Sequence, residues 1–181
     1  MARRAAAAKG RPAGDWPEAV HALLRDLGVR QVAYVPDSGL ARLIDLCLAD
    51  PSMQTAVLTT EEEGAAMMAG AWLGGARGVL LTQSGGVGNC INMLSIFEEC
   101  RIPLLMIVSM RGQWGETIPW QVPMGQATAA ALAAAGVIVR HVDDGARVAE
   151  TFRAAARLAF DAMRAVAVVV SQRITQNGAR G

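Results

Sequence analysis

Glu61-Glu62-Glu63-Gly64-Ala65-Ala66-Met67-Met68-Ala69-Gly70 is the stretch on which the reading of this chain turns, with Gln83-Ser84-Gly85-Gly86-Val87-Gly88-Asn89 close behind it. The first places three carboxylates in the opening turn of a helix over 61–75. Acids there complement the positive end of the helix dipole by a few tenths to about 1 kcal/mol, and that role suffices for two of the three. The rest of the helix is less ordinary: Gly64, Ala65, Ala66, Ala69, Gly70, Ala71, Gly74 and Gly75 leave it almost without bulk. A glycine costs about 1 kcal/mol against alanine inside a helix, so close packing onto its backbone has to compensate. The second stretch reads as a glycine loop leading from a strand into a helix over 88–100. Such loops can cradle a phosphate with backbone N–H groups, but no third glycine completes GxGxxG and no lysine completes a P-loop. A tight turn with unusual dihedrals accounts for the glycines equally well.

On either side, short β-rich runs recur at 31–36, 55–60, 78–83, 103–110, 137–142 and 165–173. Leu104-Leu105-Met106-Ile107-Val108 and Val166-Ala167-Val168-Val169-Val170 are continuous apolar runs, the pattern of strands buried on both faces. Helical stretches alternate with them at 16–28, 39–49, 61–75, 88–100, 125–135 and 145–162. The last gathers Val148, Phe152, Ala155, Ala156 and Ala159 on one face, and Gly28 and Gly136 stand where helices should stop. The alternation predicts an α/β fold, a parallel sheet of about six strands with helices on both faces. Residues 15–175 make up that one domain, between a basic tail at 1–14 and a short tail at 176–181.

The chain has 181 residues, 52% hydrophobic and 18% charged, which fits a single core. Of its 17 basic residues, Arg3, Arg4, Lys9 and Arg11 lie in the first 14 positions, leaving 13 against 16 acids elsewhere. A body of net charge about −3 carries no nucleic-acid footprint. No apolar run approaches the ~20 residues needed to span a membrane, and the head lacks the apolar centre of a secretory signal. A soluble, cytoplasmic protein is expected. Cys47, Cys90 and Cys100 are odd in number and lack CxxC spacing, so reduced thiols are expected rather than disulfides or zinc. Lys9 is the only lysine, which sets aside a Schiff-base or Walker lysine. His21 and His141 are the only histidines, poor support for a metal site or a Ser-His-Asp triad. No metal ligands are expected from this chain.

In parallel sheets ligands gather beyond the carboxyl ends of the strands. Four segments fall there: 35–40, 59–64, 83–89 and 111–126. Asp37-Ser38 either caps the helix that follows or acts on a ligand. Arg111 either solvates a loop or offers its fork of donors to a sulfonate, phosphonate or carboxylate. The connection 111–126, holding Trp114, Glu116, Trp120 and Gln121, exceeds an ordinary loop and marks a functional or interface segment.

Four segments carry a resemblance: Val35-Pro36-Asp37-Ser38; Thr60 through Gly64 and on to Gly75; Gln83 through Asn89 with Asn92; and Ser109-Met110-Arg111-Gly112 through Gly115-Glu116-Thr117-Ile118-Pro119-Trp120-Gln121-Val122-Pro123-Met124-Gly125. Together they resemble the pyrimidine-binding domain of thiamine diphosphate-dependent 2-oxo acid decarboxylases. The likeness covers nearly all of 16–175. Its most specific part, 109–125, is similar to the sulfopyruvate decarboxylases first and the phosphonopyruvate decarboxylases next.

The resemblance implies a catalytic glutamate that hydrogen-bonds the cofactor's pyrimidine ring, nine residues before the glycine that is Gly70. That is Glu61, with Glu62 the alternative register. It further implies an acid–base role for Asp37 or Ser38, cofactor contacts from Gln83, Gly86 and Asn89, and substrate contacts from Arg111 and Gln121. The cofactor would be thiamine diphosphate, an electron sink while carbon dioxide leaves. Its diphosphate is held in the family through Mg²⁺ and a Gly-Asp-Gly motif; here Asp143-Asp144-Gly145 is the nearest string. A separate diphosphate-binding β subunit carrying that motif and ligating Mg²⁺ is therefore implied, giving a hetero-oligomer whose isolated chain is inactive. The implied reaction converts 3-sulfopyruvate to sulfoacetaldehyde and carbon dioxide. Phosphonopyruvate, another anionic 2-oxo acid, or a non-catalytic binding subunit are the alternatives. Two departures bear on substrate choice: Gln83-Ser84-Gly85-Gly86-Val87-Gly88-Asn89 replaces the usual Gln-Asn-Ser-Gly-Leu-Gly-Asn, and Trp120 stands where a small residue is expected.

Overall fold

The computed structural model describes residues 15–177; the basic tail at 1–14 lies outside it, as does the expected C-terminal tail from 178 on. Six strands form one sheet: β1 (Val29–Tyr34), β2 (Gln54–Val57), β3 (Arg77–Gln83), β4 (Leu104–Ser109), β5 (Ile138–Val142) and β6 (Ala165–Val170). Their order is β2-β1-β3-β4-β6-β5, and every neighbouring pair is parallel. The helices are α1 (Trp16–Asp26), α2 (Ala41–Ala49), α3 (Glu61–Leu73), α4 (Ser84–Cys90), α5 (Ser95–Glu99), α6 (Gln121–Ala134), α7 (Val148–Phe160) and α8 (Gln172–Asn177). This is the α/β arrangement that the alternating pattern predicts.

Successive strand side chains point to opposite faces, and each face is covered. Val32, Val79, Leu81, Leu105, Ile107, Val166 and Val168 enter a core shared with α1, α2 and α7. Ala33, Leu80, Leu104, Met106, Val108, Ala167 and Val169 enter a second core with α3, α4 and Leu132 of α6. Residues of β4 and β6 are buried at every position, which is why their sequences run apolar without alternation. Fully burying such a side chain contributes about 1.5–3 kcal/mol. Gly28 and Gly136 follow α1 and α6 with φ of 68° and 80°, as helix stops require.

Several boundaries differ from the sequence reading, and three of them bear on the site. The glycine loop at 84–89 is helix α4 from Ser84 onward, because the Gln83 side chain accepts the Gly85 N–H at 2.8 Å and caps it. That helix then breaks into a 3₁₀ turn at Asn92–Leu94 before α5. Helix α6 starts at Gln121 rather than 125, since Pro123 falls in the first turn, where N–H groups have no helical partner to lose. Finally, β6 ends at Val170 and α8 follows, with the Ser171 hydroxyl accepting the Arg173 N–H at 3.3 Å.

From β1 the chain moves to β2 on one side and later to β3 on the other. The carboxyl ends of β1 and β3 therefore border the topological switch point, where open α/β sheets bind ligands.

Candidate active site

Glu61 is the first residue of α3 and is only 4% exposed. Glu62 and Glu63 are exposed. Glu63 folds back to accept the N–H and hydroxyl of Thr59, which holds its carboxyl below the usual range, the hydroxyl foremost. Glu63 thus does the capping work, while Glu61 turns inward. The Asn89 amide donates to Glu61 Oε2 at 2.9 Å. Gly86 lies against the same carboxyl so closely that a Cβ there would overlap Glu61 Oε1 and Cδ, and would come within 2.5 Å of Thr82 Oγ1. A glycine is required at this place for contact, not for dihedral freedom.

A second cluster ties three strand ends together. Asp37, beyond β1, receives the Ser109 hydroxyl on Oδ2 at 2.7 Å and Arg111 Nη2 on Oδ1 at 2.6 Å. The same Nη2 donates to Ser38 Oγ at 2.7 Å. The Arg111 backbone N–H donates to Ser84 Oγ at 3.0 Å. Ser84 and Ser109 are fully buried. Since β3 lies between β1 and β4, the Asp37–Arg111 pair bridges the carboxyl end of β3. Arg111 spends one nitrogen on this pair; its Nε and Nη1 make no hydrogen bond among the described residues, so part of its donor fork is available.

Gln83 and Gln121 are drawn into neither cluster. Gln83 caps α4, and Gln121 opens α6 with its backbone packed on Gly112, where a Cβ would overlap the Gln121 carbonyl. Among the described residues no three His, Cys, Asp or Glu side chains are grouped to hold a metal ion. Ser84 and Ser109 lie in segments quoted from the sequence but carry no assigned role there, and Thr82 is not singled out. The available signal was a small hydroxyl residue at the end of an apolar strand run.

Residues 16–127 match the family model described as thiamine pyrophosphate enzyme, N-terminal TPP binding domain. The chain belongs to this thiamine pyrophosphate enzyme family. Among its relatives is the sulfopyruvate decarboxylase subunit alpha of Methanothermobacter thermautotrophicus, 41% identical over 115 residues, 63% of this chain and 70% of that one. The phosphonopyruvate decarboxylase of Streptomyces viridochromogenes is 46% identical over 94 residues, 51% of this chain but 24% of that protein. The fold is shared with a 2-oxoglutarate:ferredoxin oxidoreductase from Magnetococcus marinus, solved with 2-oxoglutarate, coenzyme A and succinyl-CoA bound. That match has a TM-score of 0.71 over 90% of this chain and 29% of the other, at 18% identity.

The resemblance implies a carboxyl group that meets the cofactor's pyrimidine ring. Glu61 fits: it is buried, one oxygen is fixed by Asn89, and the other is lined by a residue without a side chain. No helix of the described residues is long and apolar enough to cross a membrane.

Proposed function

We propose that this chain is the pyrimidine-binding subunit of a thiamine diphosphate-dependent decarboxylase of small anionic 2-oxo acids, 3-sulfopyruvate foremost. The products are sulfoacetaldehyde and carbon dioxide. The observation that carries this reading is the buried Glu61 carboxyl against Gly86, in a chain whose relatives include sulfopyruvate decarboxylase alpha subunits. When bound, thiamine diphosphate supplies an electron sink for the electrons left as carbon dioxide departs.

The chain's own residues then have distinct tasks. Glu61 exchanges a proton with a pyrimidine ring nitrogen, Asn89 orients its carboxyl, and Gly86 leaves room for it. On the substrate side, Arg111 offers its remaining N–H groups to the sulfonate or carboxylate, in the charge-assisted manner suited to such anions. Asp37, or Ser38 in its stead, moves a proton beside that anion. Mg²⁺ and the diphosphate belong to a separate β subunit with a Gly-Asp-Gly motif.

Co-expression with such a subunit, followed by carbon dioxide release from sulfopyruvate, tests the reading. Turnover should fall at least ~100-fold in Glu61→Gln, the scale of a lost proton-transfer group. Turnover that survives would move the role to Glu62. A stable complex inert toward sulfopyruvate, phosphonopyruvate and other anionic 2-oxo acids would remove the enzyme assignment.

A further inference from the structure

Gln172 is fully buried and uses both ends of its amide. Its Oε1 accepts the N–H groups of Gln113 at 2.8 Å and Trp114 at 2.9 Å, and its Nε2 donates to Glu116 Oε2 at 2.9 Å. Glu116 in turn accepts the N–H groups of Gly112, Thr117 and Ile118. Gly112 and Gly115 have φ of 70° and 61°, so the segment folds tightly around this carboxylate. Glu116 lies inside the loop it organises; Gln172 is the anchor outside it. The next residue, Arg173, lays its guanidinium 3.4 Å from the Trp114 ring centroid. Thr175, a turn further on, packs its Cβ 3.0 Å from where a Cβ on Gly39 would stand, beside Asp37 Oδ2. Helix α8 therefore backs both the Arg111 loop and the turn that carries Asp37.

We infer that Gln172 is a positioning residue for the anion-binding end of the site: it fixes the Arg111 loop on α8, so that Arg111 is already set at Asp37 when substrate arrives. The inference rests on the reading of Arg111 given under Proposed function. The position requires one group that accepts and donates at once. A methionine of similar length would leave two backbone N–H groups unpaired. A glutamate would set a second carboxylate against Glu116.

Two measurements decide it. In the full chain, Gln172→Met should speed amide exchange at Gln113 and Trp114 at least ~10-fold, while amides of β4 and β6 keep their protection, the pattern of local opening. In the complex with the diphosphate-binding subunit, KM for the anionic 2-oxo acid should rise about 10-fold, with kcat and thiamine diphosphate affinity within about 2-fold, as for lost ground-state positioning. Gln172→Glu should share the KM defect. Pairing it with Glu116→Gln restores a donor opposite an acceptor, and should recover part of KM. Recovery stays incomplete because the Gly112 N–H then faces an amide nitrogen. Unchanged exchange in Gln172→Met would remove the anchor. Faster exchange with an unaltered KM, or equal losses in KM, kcat and cofactor affinity, would reduce Gln172 to a structural role. A complex that binds no anionic 2-oxo acid would remove the reading of Arg111 and the positioning role with it, while the exchange result would still decide the anchor.

Discussion

At the scale of single residues, one missing methyl group separates a buried acid from a displaced one. A Cβ on Gly86 would overlap the end of the Glu61 side chain and come within 2.5 Å of Thr82 Oγ1, side-chain atoms rather than backbone. Gly86→Ala should therefore still fold, at some cost in melting temperature, yet lower thiamine diphosphate affinity of the complex at least ~10-fold, equivalent to 1.4 kcal/mol. A calorimetric titration that found the affinity intact would dissociate Glu61 from the cofactor. The same carboxylate marks Cys90, whose thiol is pushed up to about 11, first by burial and then by the nearby Glu61 charge. Burial, with a smaller effect of Asp50, pushes Cys47 up to about 12, while Cys100 is exposed. The thiolate is the reactive form. A thiol-reactive dye at pH 8 should label Cys100 alone in the native chain, and all three after unfolding.

At the scale of elements, strands are more legible in the sequence than the segments that build the site. Runs such as 104–108 and 166–170 are legible because burial on both faces demands apolar residues at every position, whatever the rest of the chain does. The sequence of α4 reads as a loop because its glycines carry no periodicity; what makes it helical is the Gln83 cap and the need for Gly86 to approach Glu61. Helix α8 was hidden in the tail of a strand run, its only local signal being Ser171 at the cap. Of the candidate site residues, Glu61, Gly86 and Asn89 come together, as do Asp37, Ser38 and Arg111, whereas Gln83 and Gln121 serve local structure. Contacts made across 70 or more positions, such as Ser109 to Asp37, leave no mark on neighbouring sequence. The contact between α6 and the Arg111 loop is instead made between segments adjacent in sequence, where only the glycines mark it. A Cβ on Gly125 would overlap the Arg111 carbonyl and lie 2.8 Å from Gly112 Cα, both backbone atoms that cannot turn aside. Gly125→Ala should lose about 1–3 kcal/mol of stability, the usual cost of overpacking. Urea unfolding measures it, and a neutral result would mean that α6 can slide.

At the scale of the whole molecule, three carboxylates are held below their ordinary values by hydrogen bonds from loops at separate places in the fold. Glu116 is lowered by the backbone N–H of Ile118 foremost and by that of Gly112 next, with Gln172 and Thr117 adding less. Glu63 is lowered by the Thr59 hydroxyl and N–H, and Asp50 by the Ser52 hydroxyl and N–H, with Arg25 and His21 beside it. In the unfolded chain such groups titrate near ~4. Just below that pH the unfolded state binds more protons than the native one, so stability is fully present above it and is lost as pH falls through the depressed native values. The melting temperature should be level from pH 7 to about 5 and decline below about 4, by the same linkage. Glu116→Gln should begin lower and decline less steeply, since one of the three linked protons is gone. Acid should also act on the site before it acts on the fold: Glu116 ties the Arg111 loop to Gln172 of α8, whereas β4 and β6 are buried at every position. Amide exchange at Gly112 and Ile118 should therefore accelerate, relative to β4, in the acid range where the sheet is still native. Exchange that rises at the loop and the sheet together would show that the loop opens only with global unfolding.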